Sequence, residues 1–377
     1  YVPELTVPLE IGASRFDQYM PLLTGKKVGL VVNQTSMVGN GHLVDVLLKN
    51  EIAVKKVFAP EHGFRGEADA GEQVSNAQDV KTGLPIISLY GKNKKPTPEN
   101  LEGLEVVVFD IQDVGARFYT YISTMHYVME ACAENNIPVI VLDRPNPNGH
   151  YVDGPVREEG YESFVGMHPI PIVHGLTVGE LAKMINGEKW LKNGIQCPLT
   201  VVPCLGYSHA FYYELPVKPS PNLPNIRSIY WYPSLCLFEA TSVSVGRGTD
   251  KQFQIIGSPA HTMYKTTFTP ISKPGAKYPK HENIACYGYD LSAYSIESLQ
   301  QQQQLDLSYL LQFYADMPDK TNFFTNAKFF DKLAGTSHLQ AQIKAGKTES
   351  QIRASWQPAL NIFKEQRKSY LLYTDFD

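Results

Sequence analysis

Polar and charged side chains recur along this sequence at one kind of place, immediately after short apolar runs. Asn33, Gln34 and Thr35 follow the run 27–32, and Glu61, His62, Gly63, Phe64 and Arg65 follow 54–58. Tyr90 and Gly91 come at and after the end of the run 85–90. Asp110, Gln112, Asp113, Gly115 and Arg117 come at and after 106–111, and Asp143, Arg144, Asn146 and Asn148 follow 138–142. If the runs are parallel strands, these groups gather at the carboxyl edge of one sheet, where ligands bind in open α/β folds. A domain with only a structural task has no reason to collect five such clusters there.

Carboxylates dominate the set, which suits glycoside hydrolysis. That reaction needs a proton donor to the leaving oxygen and, as a rule, a second carboxylate acting as nucleophile or as base toward water. Glu61 is the best proton donor. It lies between Pro60 and His62, and Gly63 and Gly66 let the loop bend tightly. Partial burial beside Phe64 would raise its pKa toward the acid role. Asp110, Asp113, Asp143 and Glu239 compete for the second place, although Asp110 or Asp143 could instead orient an arginine or cap a turn. Arg65, Arg117, Arg144 and Arg247 stand beside glycine or proline loops near these carboxylates. An arginine fork binds a carboxylate bidentately, so they either receive an acidic substrate or pair with the aspartates and stiffen the cleft.

Other chemistries find less support. No G-x-G-x-x-G or Walker A pattern follows a strand, which argues against a nucleotide cofactor. Glu61-His62 is not followed by the second histidine of a zincin motif; His62, His126, His168 and His174 could hold a metal only by converging in space. No G-x-S-x-G elbow is present for a serine nucleophile. The balance of 34 basic and 38 acidic residues, net charge −4, argues against a nucleic-acid partner and a polybasic membrane surface. No window approaches the roughly 20 apolar residues of a membrane span. Five cysteines without a CxxC pair, in a chain long enough for a large core, read as five buried thiols. The 22 tyrosines suit a sugar ligand, since each offers a flat apolar face and a hydroxyl.

The elements that must position these groups follow from periodicity. The runs 27–32, 54–58, 85–90, 106–111 and 138–142 are apolar along most of their length, as parallel strands covered on both faces are. Helical spacing marks 42–50 and 120–135. Residues 176–186 form another helix, with Thr177 as N-cap and Glu180 completing a capping box. A strand at 199–203 and a proline-dense crossing at 215–227 come next. Helices at 343–346 and 350–363, with Trp356 and Phe363 as packing residues, and a last strand at 369–373 complete the chain. The pattern is that of an α/β fold with a doubly wound parallel sheet; the resemblance given below implies its Rossmann-like form and a second, smaller α+β C-terminal domain. The expected division is residues 1–228 as the catalytic domain and 229–377 as a domain contributing to the cleft.

Several of these stretches carry a resemblance. Val28-Gly29-Leu30-Val31-Val32-Asn33-Gln34-Thr35, Pro60-Glu61-His62-Gly63-Phe64-Arg65-Gly66 and the run from Asp110 to Tyr121 are similar to the NamZ-type exo-β-N-acetylmuramidases. So are Leu142-Asp143-Arg144-Pro145-Asn146-Pro147, His174-Gly175-Leu176-Thr177-Val178-Gly179-Glu180-Leu181, and Leu237-Phe238-Glu239-Ala240-Thr241-Ser242 with Gly246-Arg247-Gly248-Thr249. The similarity runs over essentially the whole chain; the stretch at Glu239 departs from the family's commoner FEGTN. The resemblance implies an exo-acting glycoside hydrolase that releases terminal N-acetylmuramic acid from the non-reducing ends of peptidoglycan fragments. The family's proposed catalytic glutamate falls on Glu61, with Asp110, Asp113 and Glu239 as further catalytic candidates. Asn33, His62, Arg65, Tyr90, Arg117, Tyr119, Asp143, Arg144 and Arg247 are the expected substrate contacts, and the lactyl carboxylate of muramic acid gives the arginines a purpose. Muramyl saccharides are the expected partners, with no cofactor, nucleotide, nucleic acid or metal. A start at Tyr1 rather than Met fits a mature form from which a secretion signal was removed, and a periplasmic or extracellular location is the expectation. Two other readings remain: a non-catalytic muropeptide-binding protein using the same cleft, and a metal-assisted hydrolase at His62.

Overall fold

The structure, a computed structural model, describes residues 7–60, 64 and 77–376. Its strands are β1 Lys27–Val32, β2 Met37–Val38, β3 Gly41–His42, β4 Ala53–Ala59, β5 Ala77–Gln78, β6 Pro85–Ser88, β7 Val106–Asp110, β8 Val139–Leu142 and β9 Leu199–Val202, followed by β10 Ile255–Ser258, β11 Thr266–Phe268 and β12 Cys286–Asp290. Six of them form a parallel sheet in the order β6-β4-β1-β7-β8-β9, and β5 adds an antiparallel edge beside β6. Counted among themselves, the parallel strands lie 3-2-1-4-5-6, the Rossmann order, so the chain reverses direction across the sheet between β1 and β7. A separate antiparallel sheet, β10-β12-β11, is built by the later residues.

The helices are α1 Phe16–Leu23, α2 Leu43–Lys49, α3 Pro98–Leu101, α4 Tyr121–Glu134, α5 Val178–Gly187, α6 Ile226–Leu235, α7 Ile296–Gln302, α8 Ser308–Asp316, α9 Ala327–Ala334, α10 His338–Lys344 and α11 Glu349–Lys368. Successive residues of a strand point to opposite sheet faces, and here both faces are covered. Val106, Val108, Ile140 and Leu142 pack with residues of α1 and α2, whereas Val107, Phe109, Val139 and Val141 join a larger cluster with α4 and α5. That cluster continues without a break into Phe238, Phe313, Phe330, Trp356 and Phe363, so the later helices share the core of the first sheet. The uninterrupted apolar runs of the sequence have this physical cause.

Local signals behave as expected at α5: the Thr177 hydroxyl accepts from the Glu180 N–H, and the Glu180 carboxylate accepts from the Thr177 N–H. On α11, Ile352, Trp356, Leu360 and Phe363 form a buried stripe at three- and four-residue spacing. All five cysteines are unbridged and buried. The expected strand at 369–373 is not one. Its Leu372 N–H donates to the Glu180 carboxylate and its Tyr373 hydroxyl to Asp143, so side chains, not a strand ladder, hold the segment. The crossing expected at 215–227 ends just after its last proline, Pro224, because Asn225 caps α6 and the helix begins at Ile226.

Arg117, an expected substrate contact, serves the fold instead. It has no exposure, and its guanidinium donates to the carbonyls of Pro155, Ile170 and, on α9, Leu333 at 2.7–2.8 Å. Replacing it by methionine keeps much of the volume but leaves three buried acceptors without those donors, each costing about 1–3 kcal/mol. Chemical denaturation of Arg117→Met should show a loss of at least about 3 kcal/mol; a loss under about 1 kcal/mol would contradict the clamp.

Candidate active site

The switch point between β1 and β7 is filled by the chain itself. The Asn33 side-chain oxygen accepts from the N–H and hydroxyl of Thr35, and the Thr35 hydroxyl accepts from the Gln112 N–H. Asp110 has no exposure and takes two hydrogen bonds from the Arg144 guanidinium, at 2.6 and 2.9 Å. Asp143 accepts from the N–H groups of Arg144 and Gly179 and from the hydroxyls of Thr177 and Tyr373, which ties β8 to the first turn of α5. Asn33, Asp110, Asp143 and Arg144 were expected to meet substrate or to carry the chemistry. Each is buried with its main bonds made inside the protein, and none lines the cavity described below.

Asp113 is also buried. Its Oδ2 accepts from the Gly115 N–H at 2.8 Å and lies 3.9 Å from His174 Nε2. Gly115 has a φ of +77°, and a Cβ there would meet the Asn146 side chain at 2.1 Å, so only glycine fits this turn. Among the four histidines considered for a metal, His126 Nδ1 and His168 Nε2 are 3.1 Å apart, and His174 stands with Asp113. Among the described residues, no group of three histidine, cysteine, aspartate or glutamate side chains could hold a metal ion. Glu61, His62 and Arg65 lie outside the described residues. Their neighbour Phe64 is buried, edge-on to the His42 ring at 4.9 Å.

An open cavity of about 780 Å³ lies where the sheet side of the molecule meets the later residues. That is within the usual range for a small-molecule site. Tyr90, Lys94, Tyr119 and Phe164 line it from the first part of the chain, with Ser220 and Asn222 from the proline-dense crossing. Tyr232, Glu239, Arg247, Phe253, Lys277, Tyr278 and Lys280 line it from the later part. Of the expected site residues, the structure thus brings together Tyr90, Tyr119, Glu239 and Arg247. The Tyr119 hydroxyl donates to the Pro219 carbonyl at 2.8 Å, which leaves its ring for the cavity and pins the crossing as a wall. Tyr232 stands edge-to-face with Phe118, Tyr119 and Phe253 at 5.1–5.8 Å; Phe118 and Phe253 are buried behind it, so Tyr119 and Tyr232 are the rings of this cluster left at the wall for the C–H faces of a sugar.

Glu239 carries the charge chemistry of this lining. It sits in the short helix Cys236–Ala240 and accepts two hydrogen bonds from Arg247, both 3.0 Å. Burial alone would raise its carboxyl. The Arg247 charge and hydrogen bonds, helped by Lys280, bring it below the ordinary glutamate range instead, so it is ionised at neutral pH. Gly246 and Gly248, with φ of +80° and +79°, form the tight turn that presents Arg247. The Lys280 ammonium donates to the carbonyls of Phe238, Glu239, Thr241 and Val243, which fixes the loop carrying Glu239. Burial, opposed by the Glu239 charge, pulls that ammonium down to about 8. Sequence reading missed Lys94, Phe164, Lys277, Tyr278 and Lys280. The only signal was the density of aromatic and basic residues in segments without periodicity.

Burial pushes the Asp113 carboxyl up to about 7, against the N–H bonds of Gly115 and Val114. Between its ordinary value of 3.8 and about 7, the folded chain holds a proton that the unfolded chain has released, so stability falls as pH rises through that window. Asp113→Asn keeps the acceptor for Gly115 and removes the titration. Relative to the parent, the variant should gain up to about 4 kcal/mol between pH 4 and pH 8. Parallel stability–pH curves for the two proteins would contradict the assignment.

Comparison with known proteins bears on this geometry. Residues 28–227 match the family model described as exo-β-N-acetylmuramidase NamZ, N-terminal, and residues 230–373 match its C-terminal counterpart. The chain is 40% identical over 376 residues to the peptidoglycan β-N-acetylmuramidase NamZ of Bacillus subtilis strain 168, spanning 94% of this chain and 89% of that protein. Among solved structures it resembles a DUF1343 family protein of Bacteroides fragilis, with a TM-score of 0.91 and 47% identity over 98% of this chain and 100% of that one. A second DUF1343 protein of the same organism matches with a TM-score of 0.79 and 31% identity, over 97% and 99% of the two chains. On these matches, which cover nearly all of the chain, the protein belongs to the exo-β-N-acetylmuramidase NamZ family.

Proposed function

We propose that the chain is an exo-acting glycoside hydrolase that releases terminal N-acetylmuramic acid from the non-reducing ends of peptidoglycan fragments. Family membership supports the reaction and its substrate. The observation that carries the site assignment is Glu239, an ionised carboxylate on the wall of an aromatic-lined cavity, held by a two-bond contact with Arg247. The terminal sugar packs its apolar face on the Tyr119 and Tyr232 side of the cavity. Glu61 donates the proton to the leaving oxygen. Glu239 takes the second carboxylate's part: it opposes the positive charge that develops at the anomeric carbon and either takes the proton of the attacking water or bonds to the carbon in a glycosyl-enzyme that water then hydrolyses. Arg247 keeps Glu239 ionised and fixes its direction.

No metal enters this scheme. The substrate lies in the cell wall, which supports a periplasmic or extracellular location and a part in turning over wall fragments for reuse. A muropeptide-binding protein with no turnover would use the same cavity, so catalysis itself is what must be measured.

A chromogenic muramic-acid glycoside provides the assay. Glu61→Gln keeps shape and hydrogen bonding but cannot donate the proton, and kcat should fall by about 10²–10⁴. Glu239→Gln should also lower kcat, with a smaller change in KM. Turnover of both variants within a factor of about two of the parent would remove these residues from the mechanism. Exhaustive chelation should leave the parent's rate unchanged, and a loss restored by a divalent ion would favour a metal-assisted route.

A further inference from the structure

The lining of the cavity is electrically one-sided. Among the described residues it holds four cations, Lys94, Lys277, Lys280 and Arg247, against a single carboxylate, Glu239. A half-enclosed space with excess positive charge favours an anionic ligand, because fewer waters solvate each cation there than at an open surface. N-acetylmuramic acid differs from N-acetylglucosamine by a lactyl ether that ends in a carboxylate. Recognising that carboxylate is therefore the step that separates the two sugars.

Two of the four cations are already committed. Arg247 gives both bonds of its fork to Glu239, and a second carboxylate on the same guanidinium would bring two negative charges together. Lys280 is occupied by four main-chain carbonyls. Of the four arginines the sequence offered for this task, Arg247 is the one paired with Glu239, Arg117 and Arg144 are held by carbonyls and by Asp110, and Arg65 lies outside the described residues. Lys94 and Lys277 have no carboxylate partner among the described residues. Lys277 is exposed at the rim, its ammonium 5.8 Å from the ring centre of Tyr278, where water screens it. Lys94 is half-buried, with its ammonium 4.5 Å from the ring centre of Phe164, another wall residue. Its neighbour Lys95 points its charge elsewhere, at Glu130 and Glu134.

Resting on the hydrolase reading above, we infer that Lys94 is the specificity-determining residue that receives the carboxylate of the muramyl sugar. The ammonium supplies a compact point charge that follows a flexible lactyl group, a task for which a rigid arginine fork is less suited. The Phe164 ring limits where the ammonium can go and so sets the position of the charge.

Calorimetric titration with N-acetylmuramic acid and with N-acetylglucosamine tests this directly. The parent should prefer the acidic sugar by roughly 10-fold or more at low salt, as one charge-assisted contact allows, and the preference should shrink as ionic strength rises. Lys94→Met should bring the two affinities within about threefold while leaving N-acetylglucosamine binding unchanged, which also reports an intact cavity. Lys94→Gln should behave like the methionine variant, Lys94→Arg should keep most of the preference, and Lys277→Met should keep nearly all of it. The inference is overturned if Lys94→Met and Lys94→Gln retain the parent's preference, if Lys277→Met alone abolishes it, or if the parent shows none. Failure of the hydrolase reading is read separately, as absence of turnover on the muramic-acid glycoside by a parent that still distinguishes the two sugars.

Discussion

The Asp110 carboxylate ends the central strand β7 without any contact with water, and Arg144 closes on it with two hydrogen bonds. A charge in such a place needs a partner at hydrogen-bonding distance, because an unpaired one costs several kcal/mol. The same demand recurs around the sheet's carboxyl edge. Asp143 is satisfied by the start of α5 and by Tyr373, and the Arg117 guanidinium by three carbonyls drawn from distant segments. The edge that in many doubly wound proteins is left open for a ligand is here used to bind the later part of the chain to the sheet.

That use moves the open space sideways, to the seam between the strand ends and the loops of the later residues. There the Glu239–Arg247 pair remains partly open, each side chain keeping about a quarter of its exposure, 25% and 27%. The pair is rigid for local reasons: left-handed glycines flank the arginine, and Lys280 pins the carbonyls beside the glutamate. Partial exposure with a fixed counter-charge gives a carboxylate that stays ionised yet can meet a reacting carbon. A general acid needs the opposite environment, one that keeps its proton until the leaving oxygen takes it. Two carboxylates with differently tuned surroundings are what glycoside hydrolysis requires.

Much of the fold was legible because burial on both faces leaves a continuous apolar signature. The strands at 27–32, 106–111 and 138–142 come within a residue of those observed, and the capping box at Thr177 is present. The last segment misled because Leu372 and Tyr373 have strand-forming side chains, while their actual partners, Glu180 and Asp143, are about 190 and 230 residues away. The site was legible only in part. Composition can place an arginine near a carboxylate, but it cannot say whether the arginine's partners are carbonyls contributed from positions 155, 170 and 333, as they are for Arg117. The parts of the far wall that carry Ser220, Asn222, Lys277, Tyr278 and Lys280 are irregular chain, and irregular chain carries no period to read.

The central claim is that the terminal sugar occupies this seam, with its reacting carbon near Glu239 and its carboxylate away from the Arg144–Asp110 pair. A crystal structure of the Glu61→Gln protein with a muramyl disaccharide tests it most directly. The account predicts the non-reducing ring against Tyr119 and Tyr232, the anomeric carbon within reach of Glu239, and Arg247 still bonded to that glutamate. A sugar bound at the β1–β7 switch point, with Arg144 swung off Asp110 to hold it, would contradict the account.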